Sequence, residues 1–200
     1  MCGVTGFIDW DNFDPRDTSI SVLTKMNSVI EHRGPDSSGV WFDISQKVYM
    51  GHTRLSILDL TDQGHQPMIS TSGRFCISFN GEIYNHQELR AQLSSDYAFQ
   101  TNSDCEIILA LYKEKGVDFI DDLNGIFGFV IYDKLENEFL IARDHIGIIP
   151  LYMGWDSEGT LFVSSELKAL EGKCKKIEVF PPGHYYSSKD LKLCKWYKRD

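Results

Sequence analysis

The 200 residues contain no apolar stretch long enough to cross a membrane, no block of like charge and no paired-cysteine spacing. Each absence removes a class of function. The longest uninterrupted apolar run, residues 126–132 with Gly128 counted in, falls far short of the roughly 18 residues that a helical span needs. Twenty Lys and Arg are outnumbered by 29 Asp and Glu, a formal charge of -9, so neither nucleic acid nor an anionic membrane is an expected partner. The five cysteines (Cys2, Cys76, Cys105, Cys174, Cys194) are odd in number and lack C-x-x-C spacing, which indicates neither a disulfide framework nor a zinc site. The six histidines are scattered without metal-ligand spacing, so no metal is expected in this chain. The opening Met1-Cys2-Gly3-Val4-Thr5-Gly6 lacks the basic and apolar regions of a secretory signal, which points to a reducing cytoplasm.

What is present is the composition of a globular domain: 42% hydrophobic and 24% charged residues argue against disorder, and the length suits one domain with a sizeable core. Residues 4–9 alternate loosely and predict a strand that ties the N-terminus into a sheet. Ile20, Leu23, Met26 and Ile30 keep a helical period, with Asp17, Thr18 or Ser19 available as caps and Arg33-Gly34-Pro35 as the stop. Residues 39–42 and 48–55 predict a hairpin. The polar stretch 59–72 predicts a long loop, of the kind that serves as a lid or stays disordered. After a strand at 74–79, Asn85-x-x-Glu88 and Ser103-x-x-Glu106 read as capping boxes opening two helices, the second ended by Gly116. A short amphipathic helix passes through Phe119 and Leu123, and strands at 126–132, 139–143, 151–155 and 161–164 follow as a meander of hairpins. The sum is an α+β protein with largely antiparallel sheets covered by helices.

Several residues carry chemistry. A small second residue lets Met1 be removed, which would leave Cys2 holding both a thiol and a free α-amine whose pKa, near roughly 7.7–8.0, lets it accept a proton at neutral pH. Residue 2 of most proteins has no such role, so Cys2 alone decides nothing. Asn80-Gly81 is the commonest short hairpin turn, yet a side-chain amide beside a glycine N–H also offers the two adjacent donors that an oxyanion hole needs. Glu82 reads most simply as a solvated strand residue, Asp104 as a charge favouring a helix N-terminus, and Arg54 as an edge cation.

Taken together these residues stand in a familiar order. The segments Met1-Cys2-Gly3, His32-Arg33-Gly34-Pro35-Asp36, Arg54-Leu55-Ser56-Ile57, Asn80-Gly81-Glu82-Ile83-Tyr84-Asn85, Ser103-Asp104-Cys105-Glu106 and Arg143-Asp144-His145, with residues 147–152, run from residue 2 to about residue 186. In them the chain resembles the glutaminase domain of the class II glutamine amidotransferases, members of the N-terminal-nucleophile hydrolases. It closely resembles that of the glutamine-hydrolysing asparagine synthetases. The resemblance implies a four-layer αββα sandwich of two largely antiparallel sheets and the hydrolysis of L-glutamine to glutamate and ammonia through a Cys2 γ-glutamyl thioester. Asn80 and the Gly81 N–H would hold the oxyanion. Arg54 would take the substrate α-carboxylate, Glu82 and Asp104 would face its α-ammonium, and backbone around Leu55, Ile57 and Leu58 would line the pocket.

The resemblance also sets expectations for the rest of the molecule. Residues 1–186 would be the glutaminase domain and 187–200 the start of a connection to a C-terminal, ATP-dependent synthetase domain of the same polypeptide, whose Ser-Gly-Gly-x-Asp-Ser loop does not occur here. ATP and Mg are expected only on that domain, where ammonia would convert aspartate to asparagine. A homodimer is compatible with it. Two alternatives stand beside this reading: an asparagine-synthetase-like enzyme with another acceptor, and a non-catalytic glutamine-sensing module. Residues 33–36 read as a structural turn, residues 143–152 as scaffolding or a domain contact, and His52, His65 and His145 receive no catalytic role.

Overall fold

The computed structural model describes residues 1–8, 16–56, 64–93 and 97–198, with backbone only at 16–18. In chain order the elements are β1 (Gly3–Ile8), α1 (Arg16–Val29), β2 (Ser37–Asp43), β3 (Val48–Arg54), β4 (Met68–Ile69), β5 (Phe75–Ile83), α2 (His86–Gln92) and α3 (Asp104–Lys115). There follow β6 (Gly125–Asp133), β7 (Glu138–Arg143), β8 (Tyr152–Trp155), β9 (Leu161–Ser164), β10 (Lys176–Val179), β11 (His184–Ser187) and β12 (Lys192–Lys195). One antiparallel sheet runs β10-β8-β9-β1-β3-β2 and a second runs β12-β11-β7-β6-β5-β4.

Three apolar seams separate four layers. Leu23 and Met26 of α1, with Ile30 just past its end, pack on Phe7, Tyr49 and Phe162 of the first sheet. Between the sheets lie Val4, Ile8, Met50, Val130, Ile141 and Leu151. On the far side of the second sheet, Ile107 and Ile108 of α3 meet Ile77, Phe79, Phe127 and Phe129. Both faces of each sheet are therefore covered. That is why residues 126–132 form a continuous apolar run instead of alternating: Phe127, Phe129 and Ile131 fill one seam while Val130 and Tyr132 fill the next. The αββα sandwich is the architecture expected from the sequence. No helix among the described residues is long and apolar enough to cross a membrane.

The expected elements recur with four corrections. Asn80-Gly81 is not a turn: β5 runs straight through it to Ile83, paired residue by residue with β6. The last strands are not one meander, because β6 and β7 form a hairpin in the second sheet whereas β8 and β9 form one in the first. Asn85 makes no cap; its side chain instead donates to the Asp122 carbonyl and accepts from the Asn124 N–H, joining the start of α2 to the chain before β6. Ser103 does cap α3, accepting from the Cys105 N–H at 3.2 Å, but Glu106 turns away to take the N–H groups of Gln100 and Thr101. Within the stretch read as a loop, β4 pairs with the start of β5; residues 59–63 of that stretch, like the side chains of the proposed caps Asp17 and Thr18, lie outside the described residues. The domain boundary anticipated after residue 186 falls in the β11–β12 hairpin, which adds two strands to the second sheet.

Candidate active site

The site lies where the first sheet ends and one edge of β5 is left unpaired. In an antiparallel ladder successive residues direct their backbone groups alternately to the two sides. On β5 the odd-numbered residues face away from β6, and each meets a different partner. Ile77 pairs with Met68 of β4. Phe79, beyond the end of β4, donates its N–H to Gln66 Oε1 at 2.7 Å and its carbonyl lies 3.0 Å from His52 Nε2. The Ile83 N–H goes to Asp104 Oδ2 at 2.9 Å. Between them Gly81 turns its N–H to the same open edge.

Asn80 beside it completes a donor pair. Its side chain is buried, 2% exposed, and its Nδ2 has no partner among the described residues. An unpaired buried amide donor is rare in a folded protein because its desolvation goes uncompensated. Together with the adjacent Gly81 N–H it makes a cradle for an anionic oxygen. Residue 81 must be glycine for two reasons: its φ is 149°, and a Cβ there would run into the Ile126 carbonyl.

Cys2 stands at the mouth of β1, one residue before Gly3. Its thiol accepts from the Leu55 N–H at 3.3 Å and lies 3.6 Å from the Leu55 carbonyl, just past the end of β3. Its own carbonyl accepts from Arg33 Nε at 2.9 Å, and Arg33 Nη1 is held by Glu166 at 3.0 Å. Burial pushes the Glu166 carboxyl upward, but hydrogen bonds from Arg33, Lys168 and His32 outweigh it and hold the pKa at about 2. Residues 33–36 are thus more than a helix stop. Gly34 sits so close to Thr53 and Arg54 that no side chain would fit, and Asp36 takes the Ser56 N–H at 2.7 Å, so this segment fastens the end of β3 beside Cys2.

Cys2, Arg54, Leu55, Asn80, Gly81, Glu82 and Asp104 line one pocket of about 150 Å³, together with Met1 and Gln66. Seven residues singled out in the sequence, separated by up to a hundred positions, therefore meet. Leu55 contributes through its backbone, whose N–H and carbonyl meet the thiol. Ile57 and Leu58 lie outside the described residues. Asp104 is 4% exposed at the first position of α3, and burial raises its pKa above the ordinary carboxylate value despite the Ile83 N–H and nearby His86. Glu82, exposed at the rim, adds like charge that pushes the same way. Among the described residues no group of three or more His, Cys, Asp or Glu is placed to hold a metal. Arg33 and Gln66 were not recognisable as site residues: the first is explained by a helix stop, the second by a polar loop, and only the fold brings Arg33 to the Cys2 carbonyl and Gln66 to the pocket.

The Glutamine amidotransferase domain family matches residues 1–183. Asparagine synthetase B [glutamine-hydrolyzing] of Escherichia coli (strain K12) is 45% identical over 203 residues, covering 100% of this chain and 35% of that protein. Asparagine synthetase [glutamine-hydrolyzing] 1 of Arabidopsis thaliana is 43% identical over 197 residues, covering 98% of this chain and 33% of that protein. The chain thus spans about a third of the length of these relatives. A solved structure of the glutamine phosphoribosylpyrophosphate amidotransferase from B. subtilis superposes with a TM-score of 0.80 at 21% identity, covering 99% of this chain and 50% of that one, a likeness of fold.

Proposed function

This chain belongs to the glutamine amidotransferase domain family, and on that premise we propose that it hydrolyses L-glutamine to glutamate and ammonia through a thioester on Cys2. Removal of Met1 frees the Cys2 α-amine. The amine takes the thiol proton as sulfur attacks the γ-carboxamide carbon, and the carbonyl oxygen, now anionic, is received by Asn80 Nδ2 and the Gly81 N–H. The amine returns the proton to the leaving nitrogen, ammonia departs, and a γ-glutamyl thioester remains. Water then adds to the thioester with the amine as base, and the thiol is restored as glutamate leaves.

Substrate recognition follows the same pocket. The planar guanidinium of Arg54 suits the α-carboxylate of glutamine, a match of fork to carboxylate that a lysine would lack. Asp104 and Glu82 receive the α-ammonium. Backbone around Leu55, and in this proposal Ile57 and Leu58, forms the wall. The observation that carries the reading is the unpartnered Asn80 Nδ2, next to the Gly81 N–H that faces away from β6, in the pocket that holds the Cys2 thiol.

In a full-length protein the ammonia would pass to a C-terminal synthetase domain and convert aspartate to asparagine, a proposal supported by the names and lengths of the relatives at 41–45% identity. The hydrolytic steps need neither ATP nor Mg, which the proposal assigns to that remaining length. The test is release of ammonia and glutamate from L-glutamine by the purified chain, with Cys2→Ala alongside and intact mass checked for loss of Met1. Release that disappears in Cys2→Ala, with glutamine still bound, is the expected result. Release that survives the substitution would show the nucleophile to be another group, and binding without release by processed protein would leave a glutamine-sensing module.

A further inference from the structure

The nucleophile and the oxyanion donors come from different sheets. Cys2 rests against Leu55 at the end of β3, whereas Asn80 and Gly81 lie on β5. Their relative placement must be set by whatever joins β3 to β5. Two buried bonds do so: Ser78 Oγ donates to the Gly51 carbonyl at 2.9 Å, and His52 Nε2 meets the Phe79 carbonyl at 3.0 Å. The second acts on the peptide unit that carries Asn80, since the Phe79 carbonyl and the Asn80 N–H belong to one plane. Gln66 fixes the preceding peptide by accepting the Phe79 N–H.

We propose that His52 and Gln66 are positioning residues for the oxyanion hole: standing in for the strand that β4 does not supply, they clamp both edge-facing groups of Phe79 and so aim Asn80 and Gly81 at the site of attack. The proposal rests on the glutaminase reading of the pocket. His52 itself is not a pocket wall, and its Nε2 is already engaged, so it touches neither substrate nor thiol. Its burial is costly. The ring is 0% exposed, and with Nε2 as the donor its Nδ1 is left a buried acceptor without a partner among the described residues. An apolar residue would fill the space without that penalty; what histidine adds is one N–H donor. Burial, with His65 and Arg54 nearby, lowers its pKa to about 3, so the ring stays neutral and that donor geometry persists across the working pH range.

The experiment compares wild type, His52→Ala, His52→Gln and Gln66→Leu in glutamine hydrolysis, and measures binding of two probes. One is L-norvaline, which keeps the α-ammonium and α-carboxylate but has no γ-carbonyl oxygen to enter the hole. The other is the γ-aldehyde of L-glutamate, whose carbonyl carbon adds the Cys2 sulfur while its oxygen takes a proton or hydrogen bonds in the hole, giving a tetrahedral thiohemiacetal. Expected is a fall in kcat of about 10–100-fold in His52→Ala and Gln66→Leu with KM within about twofold, and a parallel loss of aldehyde but not norvaline affinity. His52→Gln, which returns an N–H at similar reach, recovers most of both. Equal losses for aldehyde and norvaline, or unchanged kcat, overturn the proposal. Should His52→Ala not fold, the ratio of the two affinities in Gln66→Leu and His52→Gln decides. Absence of Cys2-dependent ammonia release from wild type would instead overturn the glutaminase reading, and the clamp with it.

Discussion

Asp104 holds the Ile83 N–H at 2.9 Å, so the first residue of α3 terminates the open edge of β5 one step beyond Gly81. A helix N-terminus, a strand edge and the pocket thus share one carboxylate. Asp104→Asn keeps an oxygen for the Ile83 N–H but removes the charge offered to an α-ammonium. We expect KM for glutamine to rise about 10–100-fold, the worth of one charge-assisted hydrogen bond, with a smaller change in kcat. The thermal midpoint should not fall, because ionised Asp104 is disfavoured by burial in the free protein. A lowered midpoint with unchanged KM would leave Asp104 with the helix alone.

The same burial makes binding pH-dependent. Asp104 titrates above the ordinary carboxylate value, and only its ionised form attracts the ammonium group. As pH falls, KM should begin to rise at a higher pH than an unperturbed aspartate would give, and the dependence should disappear in Asp104→Asn. Steady-state kinetics of both proteins from neutral to mildly acidic pH would show it; parallel profiles would assign the titration to another group.

Asn80→Ala removes the unpartnered side-chain donor and leaves the Gly81 N–H. A lost oxyanion donor costs about 10²–10³-fold in kcat with little effect on ground-state binding. Stability should hold, because the deleted Nδ2 satisfies nothing in the free protein. A proportional rise in KM would place Asn80 on the substrate ground state instead.

The contrast between Asn80 and Arg33 shows what the linear sequence reveals. Cys2, Arg54, Asn80, Gly81, Glu82 and Asp104 each have an ordinary explanation when read singly, and it is their order in the motifs shared with the glutaminase domains that implies their chemistry; all line the pocket. The local geometry of Asn80-Gly81 was not visible in the same way. An Asn-Gly pair between apolar runs favours a hairpin turn, and only pairing with residues 127 and 128 of β6 holds it extended. Arg33 and Gln66 act over 31 and 13 positions through single contacts to backbone, and such contacts leave no periodic trace. The α+β class with antiparallel sheets was legible in the strand and helix periods of the apolar residues, whereas the αββα layering was implied by the resemblance; the sheet change between β7 and β8 was not legible, since both are short strands flanked by turns.

Glu166 offers a test of how the N-terminus is held. It grips Arg33 at 3.0 Å, and Arg33 in turn donates to the Cys2 carbonyl, so the chain from Glu166 to Cys2 is two hydrogen bonds long. Its folded pKa of about 2 lies below the ordinary 4.5, so between those values the folded state binds fewer protons than the unfolded one and stability rises with pH. The contribution is complete above about pH 4.5 and is lost as pH falls toward about 2. Glu166→Gln should therefore be less stable than wild type at neutral pH, with the gap closing over that acid window in denaturant titrations. It should also lower kcat at neutral pH, because Arg33 loses the partner that orients it against the Cys2 backbone. A stability gap that stays constant down to pH 2 would mean that the carboxylate charge contributes nothing, and an unchanged kcat would mean that Arg33 holds Cys2 without it.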